Sequence, residues 1–118
     1  MIILSDYEVA RCLAAIEAVS RLGKPIAEVG DRKITAEGIS GLEADLKECV
    51  STSGEPAVYP FARLSQLGVS FGFYRYDWTL AALNSLSALP ETERDWISGL
   101  LFGYSAEAID AFARRRRV

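Results

Sequence analysis

Few of the side chains that perform enzyme chemistry are present in this sequence of 118 residues. It contains no histidine, which rules out Ser-His-Asp and Cys-His nucleophilic pairs and removes the commonest protein ligand for metals. Cys12 and Cys49 are far apart in sequence and match no zinc or redox motif, and no glycine-rich phosphate-binding motif occurs. We therefore expect a protein that is not an enzyme and has no catalytic residues, no metal site and no cofactor.

Clustered acidic residues leave one enzymatic alternative open. Glu91, Glu93 and Asp95 are close in sequence, and converging carboxylates can bind magnesium or act as an acid–base pair. The same residues follow Pro90, where the first turn of a helix would begin. Because the helix dipole favours negative charge at that end, we interpret them as helix-start residues.

Aromatic and arginine side chains are concentrated between residues 71 and 78, in the sequence FGFYRYDW. Tyrosine, tryptophan and arginine are the residue types that contribute most binding energy in protein–protein interfaces. We predict a partner-binding surface from four neighbouring residues: Tyr74, Arg75, Tyr76 and Trp78. The alternative is that Phe71, Phe73 and Trp78 lie in the core, which would still leave at least one of the others exposed. Formation of a homo-oligomer through this segment also stays open.

The C-terminal segment is a second candidate site. LPETER precedes one helix pattern, and GYSAEAI opens the next. The segment resembles the first two helices of the helix-turn-helix found in sigma-factor region four and related regulators, at these positions: Leu89, Pro90, Glu93, Arg94, Gly103, Ser105, Glu107 and Ile109. In that family a third helix enters the major groove, whereas this sequence ends at Val118.

The resemblance implies that the second of these helices would read DNA while the terminal arginines contact phosphates. The arginines concerned are Arg114, Arg115, Arg116 and Arg117. The alternative interpretation is a packed helical hairpin with a solvated basic end.

The spacing of apolar residues predicts the elements that position these candidates. Ser5-Asp6-Tyr7-Glu8 is a capping box, and apolar residues at helical spacing follow it. Further helices are predicted from Thr35 or Ser40, from Pro60 to Leu67, from about 78 to 89, after Pro90 and after Ser105. Residues 26–34 fit a small hairpin around Gly30-Asp31, and residues 69–78 fit either an extended or irregular segment or a helix, with the aromatic content favouring the former.

We therefore predict a mainly α fold of about five short helices, packed around a central helix near residues 78–89. A minor β element is expected at 26–34 or 69–76, and residues 1–118 are expected to form a single globular domain. The predicted core consists of Val9, Leu13, Ile16, Ile39, Leu42, Leu46, Leu83, Leu86, Trp96, Leu100, Ile109 and Phe112.

Composition limits the class of protein. Half of the residues are hydrophobic and 25% are charged, as in ordinary folded proteins, and the net charge of −3 argues against general attraction to nucleic acid or anionic lipid. No apolar run approaches the roughly 20 residues that span a bilayer. We expect a cytoplasmic protein with no membrane partner, in which the two cysteines are reduced and pack as small hydrophobes. A Cys12–Cys49 disulfide is the alternative.

The function favoured by these observations is that of a non-catalytic protein that occupies the surface of another protein. Small acidic inhibitors and immunity proteins of phages and mobile elements, including CRISPR inhibitors, are of this kind; the comparison rests on size and composition. The acidic residues have two interpretations: they mimic nucleic-acid phosphates toward a basic partner, or they lie on solvated helix faces. The residues concerned are Asp6, Glu8, Glu43, Asp45, Glu91 and Glu93. The alternative function is a small DNA-binding accessory protein that uses residues 90–117.

Overall fold

A computed structural model of the protein describes residues 3–55, 57–65 and 68–116. This part of the chain is mainly helical and contains one small antiparallel sheet. The α-helices are α1 (Asp6–Ser20), α2 (Ile39–Ser53), α3 (Asp77–Ser85), α4 (Glu91–Leu101) and α5 (Ala106–Arg116), and the strands are β1 (Ile26–Arg32), β2 (Tyr59–Ser65) and β3 (Gly68–Tyr74). Short 3-10 turns at Ala36–Gly38 and Leu86–Ala88 precede α2 and α4. Among these helices, none combines the length and apolar character needed to cross a bilayer.

Local capping interactions begin α1 and α5 where the sequence predicts. The Ser5 hydroxyl accepts a hydrogen bond from the Glu8 amide at 3.2 Å, and the Glu8 carboxylate accepts one from the Ser5 amide at 3.1 Å. The Ser105 hydroxyl likewise accepts from the Ala108 amide at 3.1 Å, at the start of α5. The capping box and the start of the last helix are therefore confirmed.

The sheet has the order β1-β3-β2, so β3 is its central strand. Both segments proposed as alternatives for the β element are strands. Residues 26–34 do not form a hairpin: the pairing of β1 with β3 shifts register between Glu28 and Gly30, which is the mark of a bulge within one strand.

The helix predicted from Pro60 is wrong, because residues 59–65 form β2 (Leu67 lies outside the described residues). Proline lacks an amide hydrogen, and β2 is an edge strand in which such a residue is tolerated. Pairing with β3 makes this segment a strand and not a helix. In that pairing Phe61 lies opposite Gly72, and Ala62 lies opposite Phe71.

The larger hydrophobic core lies between one face of the sheet and helices α1 and α2. Its buried residues include Cys12, Ile16, Val19, Leu42, Leu46, Val69, Phe71 and Phe73. The predicted centre at residues 78–89 differs from this arrangement: Leu83 and Leu86 belong to a smaller cluster with Ile26, Phe61 and Leu101. The sheet takes the central place because β3 buries two whole phenylalanine side chains, whereas α3 carries the exposed Trp78.

Half of the predicted core residues are buried as expected: Ile16, Leu42, Leu46, Leu83, Leu86 and Ile109. Val9, Ile39 and Trp96 are partly buried. Three predictions are wrong, since Leu13, Leu100 and Phe112 are exposed. In α5, which packs on α4, the side chains of Ile109 and Ala113 are buried, whereas Phe112, one turn after Ile109, stays about half exposed.

A buried carboxylate holds the N-terminal segment. Asp45 Oδ2 accepts hydrogen bonds from the amides of Ile3 at 2.5 Å and Leu4 at 3.1 Å. On the other side of this segment, the Arg32 guanidinium donates to the Ile3 carbonyl and lies 3.5 Å from a Glu8 carboxylate oxygen. Asp45 and Glu8 therefore bind within the molecule, which weakens the idea that they mimic phosphates toward a partner.

Candidate protein-interaction surface

The connection between β3 and α3 consists of two residues, Arg75 and Tyr76, and backbone hydrogen bonds hold both ends of it. The Arg75 amide donates to the Pro25 carbonyl at 3.1 Å, which continues the pairing of β3 with the start of β1. The Tyr76 carbonyl accepts from the Thr79 amide at 2.9 Å, in the first turn of α3. The connection therefore has a defined path, and the side chains it carries are presented in fixed directions.

Two aromatic rings are stacked at this connection. The centroids of Tyr76 and Trp78 are 6.0 Å apart and their planes differ by 9°. The Arg75 guanidinium carbon lies 5.6 Å from the centroid of the Tyr76 ring, within the range of a cation–π contact. Tyr76 is nevertheless 47% exposed and Trp78 56% exposed. Both rings therefore contact each other and still expose about half of their surface.

A second group of aromatic rings lies at the end of the sheet where β3 ends and β2 begins. The Tyr74 ring is 5.7 Å from the Tyr59 ring and 6.4 Å from the Phe61 ring, measured between centroids. Burial raises the pKa of the Tyr74 hydroxyl, and the charge of Asp77 raises it further. Tyr59 is 47% exposed. We call the following residues the aromatic surface: Tyr59, Tyr74, Arg75, Tyr76 and Trp78.

The structure places the four predicted partner-binding residues differently. Tyr76 and Trp78 are exposed, while Tyr74 and Arg75 are partly buried. Phe71 and Phe73 are in the core, as the alternative interpretation expects, but Trp78 is not.

Sequence reasoning missed Tyr59, because the helix predicted from Pro60 hid the strand. The available signal was the alternation of Tyr59, Phe61 and Arg63, which puts all three on one side of a strand. Since Tyr59 lies opposite Tyr74 in the sheet, that side of β2 continues the aromatic surface.

Several polar side chains lie on the same face of the sheet as Tyr59 and Tyr74. In the strand register Asp31 and Arg63 both lie opposite Ser70, and Glu28 lies opposite Gly72. Ser70 donates a hydrogen bond to the Glu28 carboxylate. Partial burial raises the pKa of Glu28 and the charge of Asp31 adds to this, while Ser70 and Arg63 act in the opposite direction. Directional polar groups therefore border the aromatic rings.

The alternative nucleic-acid site is at the end of α5. Arg114 is 76% exposed and forms an ion pair with Asp110 at 2.9 Å, one helical turn earlier. Arg115 lines a cavity of about 450 Å³ between α4 and α5, together with Asp95, Tyr104 and Phe112. The Arg116 side chain and Arg117 lie outside the part of the chain that the structure describes.

The turn between α4 and α5 has the features on which the resemblance to helix-turn-helix proteins rests. Gly103 has a positive φ of 80°, which favours glycine, and Ser105 caps the helix that follows. The two helices cross where Gly99 meets Ile109, so closely that a Cβ atom on Gly99 would lie 2.5 Å from Ile109 Cγ1.

Comparison with protein-family models, with curated protein sequences and with solved structures gives no match. Within residues 3–55, 57–65 and 68–116, no three cysteine or carboxylate side chains are grouped so that they could hold a metal ion. The geometry of the chain itself is therefore the basis for assigning a function.

Proposed function

We propose that this protein is a non-catalytic binding protein that acts by occupying the surface of another protein, and that the aromatic surface makes the contact. The observation that carries the proposal is the stacked pair of Tyr76 and Trp78, whose rings contact each other while each stays about half exposed. Large exposed aromatic side chains are the usual centres of binding energy in interfaces. Because their stacking already restricts the rings, little side-chain entropy remains to be lost on binding.

Each part of the aromatic surface has a separate role in this proposal. Tyr76 and Trp78 bury the largest apolar area against the partner, and each contributes on the order of 2 kcal/mol, about 30-fold in Kd. Arg75, held over the Tyr76 ring, offers guanidinium donors to a carboxylate or carbonyl group of the partner. Glu28, Asp31 and Arg63 supply a polar rim that fixes the orientation of the complex.

The finer form of the proposal is an inhibitor or immunity-type protein, such as a CRISPR inhibitor, encoded by a phage or mobile element. A protein of this type blocks a functional surface, so it needs a rigid patch of contact residues but no reactive groups. The small size and net charge of −3 support this form, since acidic surfaces suit basic partners such as nucleases.

Affinity capture from host lysate tests the proposal, with the wild type compared with a Tyr76→Ala, Trp78→Ala double variant. Tyr7→Ala is the matched control: Tyr7 is 71% exposed and also has an arginine, Arg11, 5.9 Å from its ring. We expect the double variant to lose a partner that wild type and control both retain, with all three folded by circular dichroism. If the double variant keeps every partner, the aromatic surface is not the contact. Light scattering shows whether the partner is a second copy.

A second candidate function, DNA binding through α4 and α5, is favoured by the close crossing at Gly99 and by the arginine run. It is opposed by Asp95, Glu107 and Asp110 on the same two helices. A mobility-shift titration at increasing salt tests it. Binding that weakens steeply with salt, and that is lost when Arg114 to Arg117 become alanine, would support this function. No binding at low salt would remove it.

A further inference from the structure

The two cysteines of the chain meet inside the larger core. Cys12 on α1 is fully buried, Cys49 on α2 is nearly so, and both are free thiols. They belong to one core cluster on two helices that pack together, and each thiol influences the pKa of the other, as close neighbours do. The sulfur atoms are thus neighbours on two facing helices, as the two halves of a disulfide must be.

We propose that Cys12 and Cys49 form a reversible oxidation site, at which hydrogen peroxide or a comparably small two-electron oxidant produces a disulfide between α1 and α2. The bond would join two residues of one buried cluster, on helices that already pack against each other.

A small cavity gives the oxidant access to one thiol of the pair. It has a volume of about 160 Å³ and is lined by Cys49 together with Leu4, Val9, Leu13 and Thr52. A water molecule occupies about 30 Å³ of liquid, so the cavity has room for hydrogen peroxide but not for a large peptide disulfide. Cys12 does not line it. Cys49 is therefore the thiol that reacts first, and Cys12 is the one that completes the bond.

The pKa values of the two thiols determine how fast they are oxidised. Burial raises the pKa of Cys12 to about 12, with the neighbouring Cys49 adding to the effect. Burial also raises the pKa of Cys49, and the charges of Asp45 and Glu48 add to this, while the neighbouring Cys12 thiol acts in the opposite direction. Since the thiolate is the reactive form, oxidation is slow at neutral pH and becomes faster as the pH rises.

The reaction takes place in two balanced steps. The Cys49 thiolate attacks one oxygen of hydrogen peroxide, the O–O bond breaks, and hydroxide leaves with Cys49 as the sulfenic acid. The Cys12 sulfur then loses its proton and attacks the Cys49 sulfur, the S–O bond breaks, and a second hydroxide leaves. With the two thiol protons, the hydroxides become two water molecules. Both sulfur atoms together lose two electrons, and a dithiol reductant reverses the change.

The disulfide would stabilise the fold. It closes a loop that contains β1 and restricts the unfolded chain, which raises the melting temperature. On α2 the bond lies one turn after Asp45, the residue that holds the amides of Ile3 and Leu4. Oxidation therefore strengthens the part of the core on which the N-terminal segment rests.

The purified full-length chain is treated with hydrogen peroxide at neutral pH and at about pH 9, unfolded, and alkylated without reductant. We expect the loss of two hydrogen masses, no alkylation of either cysteine, a faster reaction at the higher pH and a higher melting temperature that dithiothreitol reverses. In Cys12→Ala, dimedone should label Cys49 as a sulfenic acid, while Cys49→Ala should stay unlabelled. Two alkylatable thiols in the treated wild type, or crosslinks only between molecules, would overturn the proposal, as would preferential labelling of Cys12.

Discussion

The Tyr76 ring is stacked on the Trp78 ring with 6.0 Å between centroids, across the junction of β3 and α3. Only Asp77 separates the two residues in sequence, so one ring belongs to the connection and the other to the first turn of the helix. A stack across this junction links the end of the sheet to the orientation of α3. Under the proposed function, a partner would bind this stacked pair at the junction of the sheet and the helix.

The energy of this stack can be measured by a double-mutant cycle. We expect Tyr76→Ala and Trp78→Ala each to lower the free energy of unfolding by about 1 kcal/mol or less, because both side chains are half exposed. The coupling between them should be about 0.5–1.5 kcal/mol, as for other aromatic pairs. Urea denaturation of the four proteins gives the values, and additive changes would show that the stack is not formed in solution.

Gly72 fixes the pairing of β3 with β1. A Cβ atom at this position would lie 2.1 Å from the Ala27 carbonyl oxygen and 2.8 Å from Glu28 Cα, both backbone atoms that cannot turn away. We expect Gly72→Ala to lower the free energy of unfolding by more than about 3 kcal/mol, as backbone clashes in a core do. Gly30→Ala is the control in the neighbouring strand, since no heavy atom lies within 4 Å of its added Cβ. Equal effects of the two variants would contradict this register.

Asp45 supports the N-terminal segment through two backbone amides, one buried and one partly buried. Removing it in Asp45→Ala leaves the amides of Ile3 and Leu4 without their acceptor, which should cost about 2–3 kcal/mol of unfolding free energy. Hydrogen exchange of these two amides should become faster. Exchange of the β3 amides should change only by the amount that the change in global stability explains. Lys47→Ala, at an exposed position of the same helix, is the control. Unchanged exchange at both amides would show that Asp45 does not hold them.

The contribution of Glu28 to the free energy of unfolding should be less favourable at neutral pH than in acid. Its pKa in the folded state is raised above the usual 4.5, chiefly by burial, so the folded protein holds this proton more tightly than the unfolded chain does. The stability that this proton contributes is complete below the pKa of Glu28 in the unfolded chain. It is lost as the pH rises through the pKa of Glu28 in the folded protein. Glu28→Gln should therefore have a higher melting temperature than wild type at pH 7, and the difference should shrink at about pH 4. A variant that is less stable at pH 7 would contradict this.

The elements that local interactions determine could be predicted from the sequence. Ser5 and Ser105 begin helices because their hydroxyl groups satisfy amides three residues away, whatever the rest of the chain does. The strand around Pro60 could not be predicted in this way, since proline at the start of a segment is compatible with a helix and only pairing with β3 decides otherwise.

The candidate site could likewise be predicted only in part from the sequence. Tyr76 and Trp78 could be named from their residue types alone, because exposed aromatics close to an arginine favour an interface in any fold. Tyr59 becomes part of the surface only through the register that places it opposite Tyr74, more than ten positions away in sequence. Phe112 shows the reverse: its helical spacing matches the buried Ile109, but α5 packs on α4 through too narrow a face to cover both.

The most direct measurement of the central claim is site-specific photocrosslinking in host cells. The photoreactive residue p-benzoylphenylalanine replaces Tyr76 or Trp78 in two variants and the more exposed aromatic Tyr7 in a third. The account predicts one and the same crosslinked partner from positions 76 and 78 and none from position 7. Crosslinks from position 7 alone, or none from positions 76 and 78 while the partner is still captured, would contradict it.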